Sequence, residues 1–140
     1  MGTLTTDIPA RMKITQAQQQ HRTELGRKGE ELARAYLQER GFRILHCNWR
    51  YAHKEIDIIA QKGTMLHIVE VKTRSSNCII NPEEAVNKTK QRLLIRAAQA
   101  YINYSSFDGE VQFDVFSIIV SAHSHEITYI PQAFYPLIRK

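Results

Sequence analysis

The 140-residue chain carries only two cysteines, Cys47 and Cys78, and no CxxC pair. That scarcity excludes a disulfide framework and a zinc knuckle, and points to a reduced, cytoplasmic setting in which both thiols are packing or inert groups. No apolar run approaches the about 18 residues of a membrane span, and the N-terminus lacks the hydrophobic stretch of a signal peptide. The expectation is a soluble chain with no membrane partner. No glycine-rich phosphate loop occurs, which argues against an ATP-driven helicase or kinase. Repeats are absent.

What is present is one domain's worth of ordinary globular sequence, 43% hydrophobic and 24% charged. Nineteen Lys and Arg against fourteen Asp and Glu give a formal net charge of +5, a modest excess that favours phosphate-rich partners.

Residues 1–22, with a glutamine cluster and few large apolar groups, read as a flexible tail ahead of a single domain over residues 23–140, although the following helix can begin as early as Thr15. From Thr23 as N-cap, a helical pattern runs to Arg40 and stops at Gly41, suited to a left-handed cap. Leu25, Leu32, Ala33, Tyr36 and Leu37 form its apolar face. Glu30 lies on the inward stripe, whereas Glu31 faces solvent.

Strands are predicted at residues 42–51, 55–60 and 65–72, followed by a loop over residues 73–80. Asn81, Pro82, Glu83 and Glu84 then punctuate the start of a second helix running to Tyr104. Its inward residues are Val86, Leu93, Leu94, Ala97, Ala98, Tyr101 and Ile102. Two further strands follow at residues 111–120 and 126–130. The predicted architecture is an α/β sandwich with a mixed central sheet of about five strands flanked by helices.

The chemistry concentrates where strands two and three pair across a Gly63-Thr64 turn. An antiparallel hairpin centred there sets Asp57 opposite Glu70 and Glu55 opposite Lys72, with opposed Cβ atoms about 4.5–5.5 Å apart. Two carboxylates that close repel, and a divalent metal offsets the charge. Mg²⁺, with Mn²⁺ as a substitute, takes oxygen ligands and keeps several waters, so Asp57, Glu70 and the Val71 carbonyl make an adequate set. Lys72 would orient or deprotonate an attacking water, or neutralise transition-state charge.

Against this, Glu70-Val71-Lys72 alone is an ordinary strand displaying charge to solvent. The apolar residues on both faces of the neighbouring strands count against that, because charge at the ends of interior strands is costly unless paired or coordinating. Lys90, on the line Val86, Lys90, Leu93, Ala97, either snorkels at the core edge or serves the site. Lys88, Arg92 and Arg96 recur every four residues, as a phosphate-tracking stripe or a solvated face. Arg50, Lys54 and Arg74 are further candidate nucleic-acid contacts. Trp49 and Tyr51 are candidates for base stacking or for sheet packing. His123-x-His125 lacks a third ligand, which disfavours a metal site there.

Gly26-x-x-Gly29-Glu30-x-x-Ala33, Asn48-Trp49-Arg50, Glu55-Ile56-Asp57-x-Ile59-Ala60, Val69-Glu70-Val71-Lys72-Thr73-Arg74 and Glu84-Ala85-Val86-x-x-x-Lys90, taken in order, resemble the YraN-like endonuclease family over about residues 24–120. That family is placed in the restriction-endonuclease-like PD-(D/E)xK superfamily, related to archaeal Holliday junction resolvases. The resemblance implies a restriction-endonuclease-like sandwich, a Mg²⁺-dependent site and a nucleic-acid substrate, DNA before RNA and branched or structured forms among the options. It puts Asp57, Glu70 and Lys72 in catalytic positions and Glu30 in that of the supporting helical acid, with Glu55 and Lys90 in accessory positions. It also implies a homodimer, since junction-cutting relatives act as dimers. Two departures stand out: Lys54 replaces a common Gly, and Gln112 a frequent basic residue before Phe113-Asp114. The alternatives are a nucleic-acid-binding module of this fold that does not cleave, and an interaction subunit whose acidic cluster is only structural.

Overall fold

The computed structural model describes residues 16–76 and 86–136, with side chains from residue 23 onward. Within them the order is α1 (Gln16–Glu39), β1 (Arg43–Tyr51), β2 (Lys54–Lys62), β3 (Met65–Ser75), α2 (Lys88–Ser105), β4 (Glu110–Val120) and β5 (His125–Phe134). The five strands form one sheet in chain order. Only β3 and β4 run parallel, and the other neighbours are antiparallel, so the sheet is mixed as expected.

The parallel pair follows from connectivity, because α2 carries the chain from the end of β3 back to the start of β4 across one face. On that face Ile56, Ile59, Leu66, Ile68, Phe113 and Val115 pack with Leu94, Ala97, Ala98 and Tyr101 of α2. On the other, Ile58, Ala60, Val69, Phe116 and Ile118 pack with Ala33 and Leu37 of α1. Strands covered on both sides read as near-continuous apolar runs, as β2 and β3 do. The result is an α/β sandwich consistent with the restriction-endonuclease-like arrangement.

Several local expectations change. Thr23 lies inside α1 and is not its N-cap, because no helix breaker separates it from Gln16 and the helix simply continues backwards. The C-terminal stop holds: Gly41 has φ +87, and the Phe42 N–H reaches back to Leu37 O at 3.1 Å. β3 runs through Thr73 to Ser75, residues expected in a loop, because the parallel ladder with β4 continues to Ser75 opposite Val120.

The second helix does not run unbroken from residue 82. Val86 and Asn87 are non-helical, and Asn87, in an extended conformation, caps α2 by accepting from the Lys90 N–H at 2.9 Å. The Asn81 to Glu84 punctuation lies outside the described residues. Leu93, expected inward, is an exposed residue of α2, whereas Leu94 is buried. No helix among the described residues is long and apolar enough to cross a membrane.

Candidate active site

The hairpin adopts the expected register from Lys62 opposite Met65 down to Ile58 opposite Val69, and Gly63, with φ +60, makes the turn. The pairing ends there. Beyond it the Asp57 carboxylate enters the gap and accepts the Val71 N–H on Oδ2 at 2.8 Å. On the other side of β2, Asn48 in β1 adopts φ +53, while the β1–β2 register, which shifts between Ile44 and His46, is the same at Cys47 and at Trp49. Asp57 therefore stands just past the regular β2–β3 ladder, with its side chain taking the place of a ladder acceptor.

Glu70 is buried and held by Lys54, whose Nζ stands 3.2 Å from both Oε1 and Oε2. Burial pushes the Asp57 carboxyl well above the usual carboxylate range, and the charge of Glu70 adds to that. The Val71 N–H works in the opposite direction, Glu30 contributes a smaller push upward, and Lys54 a smaller one downward. Asp57, Glu70, Glu30 and Lys54 thus share one electrostatic neighbourhood.

Glu30 enters from α1 half-buried, and its carboxyl is also raised, chiefly by burial. A hydrogen bond from the Asn48 side chain and the Arg34 charge oppose the rise, and Glu55 and Glu70 add to it. Lys72 is half-buried and its ammonium is easier to deprotonate than usual. Burial is the main cause, followed by the charges of Lys90 and Arg74 and a hydrogen bond to Lys90, with Glu70 acting against them. A pocket of about 430 Å³ lies alongside, lined by Leu25, Gly26, Glu30, Val71, Lys72, Thr73 and Arg74.

The structure thus brings Glu30, Asp57, Glu70, Val71, Lys72, Arg74 and Lys90 together. Glu55 does not face Lys72: it sits opposite Arg50 in the β1–β2 ladder and accepts from that guanidinium at 3.2 Å, both side chains well exposed. The reason is that β2 and β3 have already separated at Asp57. Lys88, Arg92 and Arg96 are exposed on α2. Trp49 packs edge-on against Tyr101, with 5.2 Å between ring centroids, while Tyr51 is exposed. Cys47 is exposed, which overturns its reading as a packing residue, and Cys78 lies outside the described residues.

Sequence reasoning missed Asn48 as a partner of Glu30 and Lys54 as the partner of Glu70. Asparagine tolerates the left-handed conformation that Asn48 adopts, which is a usable signal for a special position there. It also missed the packing of Gly29, where an added Cβ would overlap Thr73.

Among the described residues no three His, Cys, Asp or Glu side chains converge as a ready-made metal cage. A Mg²⁺ site needs fewer, since one or two carboxylates, a carbonyl and waters suffice. Asp57 and Glu70 fit that demand, because their mutual repulsion is what a cation would relieve.

Fold and site together define an α/β sandwich domain with an acidic and lysine-bearing cluster where two central strands diverge. A family model described as "Uncharacterised protein family UPF0102" matches residues 29–118. The chain belongs to that family. A UPF0102 protein of Parabacteroides distasonis is 45% identical over 112 residues, covering 80% of this chain and 93% of the relative. One from Bacteroides thetaiotaomicron is 47% identical over 113 residues, covering 81% and 93%. Another from Chlorobium chlorochromatii is 47% identical over 118 residues, covering 80% and 92%.

Proposed function

We propose that this protein is a metal-dependent endonuclease of PD-(D/E)xK type that hydrolyses phosphodiester bonds in DNA, branched or structured DNA being among its candidate substrates. One observation carries the reading: Asp57, Glu70 and Lys72 meet where β2 and β3 separate, with the Asp57 carboxyl raised by the burial and like charge that a cation would offset. Asp57, Glu70 and the Val71 carbonyl would hold Mg²⁺ or Mn²⁺. When bound, the ion supplies charge stabilisation at the phosphoryl oxygens and activates water.

The chain's own residues do the rest. The Val71 N–H fixes the Asp57 carboxylate, and Glu30, tied to Asn48, adds negative charge from α1. Lys72, whose ammonium is crowded by Lys90 and Arg74, would accept a proton from the attacking water or neutralise the leaving oxygen. Arg50, Lys54, Arg74, Lys88, Arg92 and Arg96 are the basic groups available for backbone phosphates, and a homodimer would present two such sites to a two-fold substrate.

A second reading, a nucleic-acid-binding module that does not cleave, is favoured by the Lys54–Glu70 ion pair, which balances one carboxylate without metal. The test is incubation with linear, flapped and four-way-junction DNA under Mg²⁺ and Mn²⁺, beside Asp57→Ala. Cleavage that vanishes in the variant supports the enzyme. Binding without cleavage under either ion supports the second reading.

A further inference from the structure

Lys54 occupies the position that a cation bound by Glu70 would need. Its Nζ is equidistant from both carboxylate oxygens at 3.2 Å, straddling the edge on which a metal would be chelated. The two side chains are only 17% and 9% exposed, so water does little to screen the attraction. The charge of the same ammonium also acts on Asp57, so its field covers both carboxylates.

Lys54 is the first residue of β2, directly after an exposed bend in which Ala52 has φ +54. Its four-carbon stem is flexible and the ammonium hydrates strongly, so the head can leave Glu70 for solvent without disturbing the strand. Released, Glu70 would be a buried anion without its counter-charge, which is the state a divalent ion stabilises.

We propose that Lys54 is a built-in counter-ion that competes with the divalent metal for Glu70, so that metal loads only as the ammonium swings out. This rests on the metal-site reading above. The lysine keeps the buried glutamate satisfied in the metal-free protein and sets the metal concentration at which the site fills.

The experiment uses the full chain and Mn²⁺ alone, with free Mn²⁺ followed by electron paramagnetic resonance. Lys54→Met, which keeps the stem and removes the charge, should tighten Mn²⁺ binding about tenfold, the effect of one lost charge-assisted hydrogen bond. Lys54→Arg, which keeps a cation, should not. A folded Lys54→Met protein that binds Mn²⁺ no more tightly than wild type overturns the proposal and leaves the metal site standing. If neither protein binds Mn²⁺, the proposal and the metal-site reading fall together.

A second measurement needs no variant. Amine-reactive labelling of the wild-type protein, read by mass spectrometry, should show Lys54 modified faster with Mn²⁺ than without, while exposed Lys62 is unchanged. Unchanged or slower labelling of Lys54 overturns the proposal.

Discussion

The Val71 N–H donates to Oδ2 of Asp57 at 2.8 Å, so a side chain takes a backbone donor just past the last paired residues of β2 and β3. Asn at position 57 keeps an acceptor oxygen for that donor and discards the charge. Because burial and Glu70 raise the Asp57 pKa, folding favours the protonated carboxyl. That stabilisation is present below the unfolded pKa and is lost as pH rises through the folded one. Metal-free Asp57→Asn should therefore melt a few degrees above wild type at neutral pH, the shift that about 1 kcal/mol gives in a domain of this size. The gain should shrink in acid. Asp57→Ala, which leaves the Val71 N–H without its acceptor, should melt below the Asn variant. Circular dichroism melts with EDTA decide it, and an Asn variant less stable than wild type at neutral pH refutes the account.

Gly29 and Gly26 sit one turn apart on α1 and should respond oppositely to alanine. A Cβ at Gly29 would overlap Thr73 Oγ1 and stand 2.9 Å from Thr73 Cβ, whereas one at Gly26 meets nothing within 4 Å. Gly26→Ala should gain up to about 1 kcal/mol from helix propensity. Gly29→Ala should lose about 1–3 kcal/mol by overpacking, despite the same propensity gain. Thr73→Ala removes the nearest obstructing atom, so the double variant should recover part of the loss. Urea titrations of the four proteins measure the coupling, and strict additivity would show that Thr73 is not the obstacle.

How much of this was legible in the sequence varies with range. Gly41, Gly63 and the unbroken apolar runs of β2 and β3 announce themselves, because a left-handed cap, a tight turn and a doubly covered strand each demand particular residues. The register that puts Asp57 near Glu70 follows from the turn. Its end at Ile58 does not, since there a carboxylate replaces a ladder acceptor, taking the Val71 N–H. Extending the hairpin register past Ile58 sets Glu55 opposite Lys72, whereas the pairing stops short of it and Glu55 pairs with Arg50. Lys54–Glu70 and Gly29–Thr73 join residues distant in sequence, and no local periodicity encodes them.

Asp114, opposite Val69 in the β3–β4 ladder, anchors a second buried network. It accepts from Tyr129 OH at 2.7 Å, Gln112 Nε2 at 2.9 Å and the Gln132 N–H at 3.1 Å, and contacts His67 Nδ1 at 2.7 Å. Burial works against its charge, but these hydrogen bonds, His67 foremost, hold its carboxyl below the usual range. A depressed pKa contributes stability above the unfolded pKa, lost as pH falls through the folded one. Asp114→Ala should lose about 2–4 kcal/mol at neutral pH by orphaning buried donors. The difference from wild type should narrow in acid, as wild type loses the same contribution. Chemical denaturation across an acid series tests this, and a pH-independent difference would exclude Asp114 ionisation as its source.

The α2 stripe tests the nucleic-acid reading separately from cleavage. Lys88, Arg92 and Arg96 are all exposed and one helical turn apart, on the helix that also carries Lys90 to Lys72. If the stripe follows a phosphate backbone, each residue that neutralises one phosphate contributes about 0.9 to the slope of log affinity against log salt on duplex DNA. Arg92→Ala with Arg96→Ala should then lower that slope by nearly two and weaken binding evenly across sequences, because phosphate contacts carry no base information. Arg40→Ala is the control: its guanidinium lies over the Tyr36 ring at the far end of α1, with the carbon 3.4 Å from the ring centroid. Fluorescence anisotropy over a salt series separates the outcomes. A lower slope for the α2 pair alone assigns the stripe to DNA, and equal slopes for all three proteins make it a solvated face.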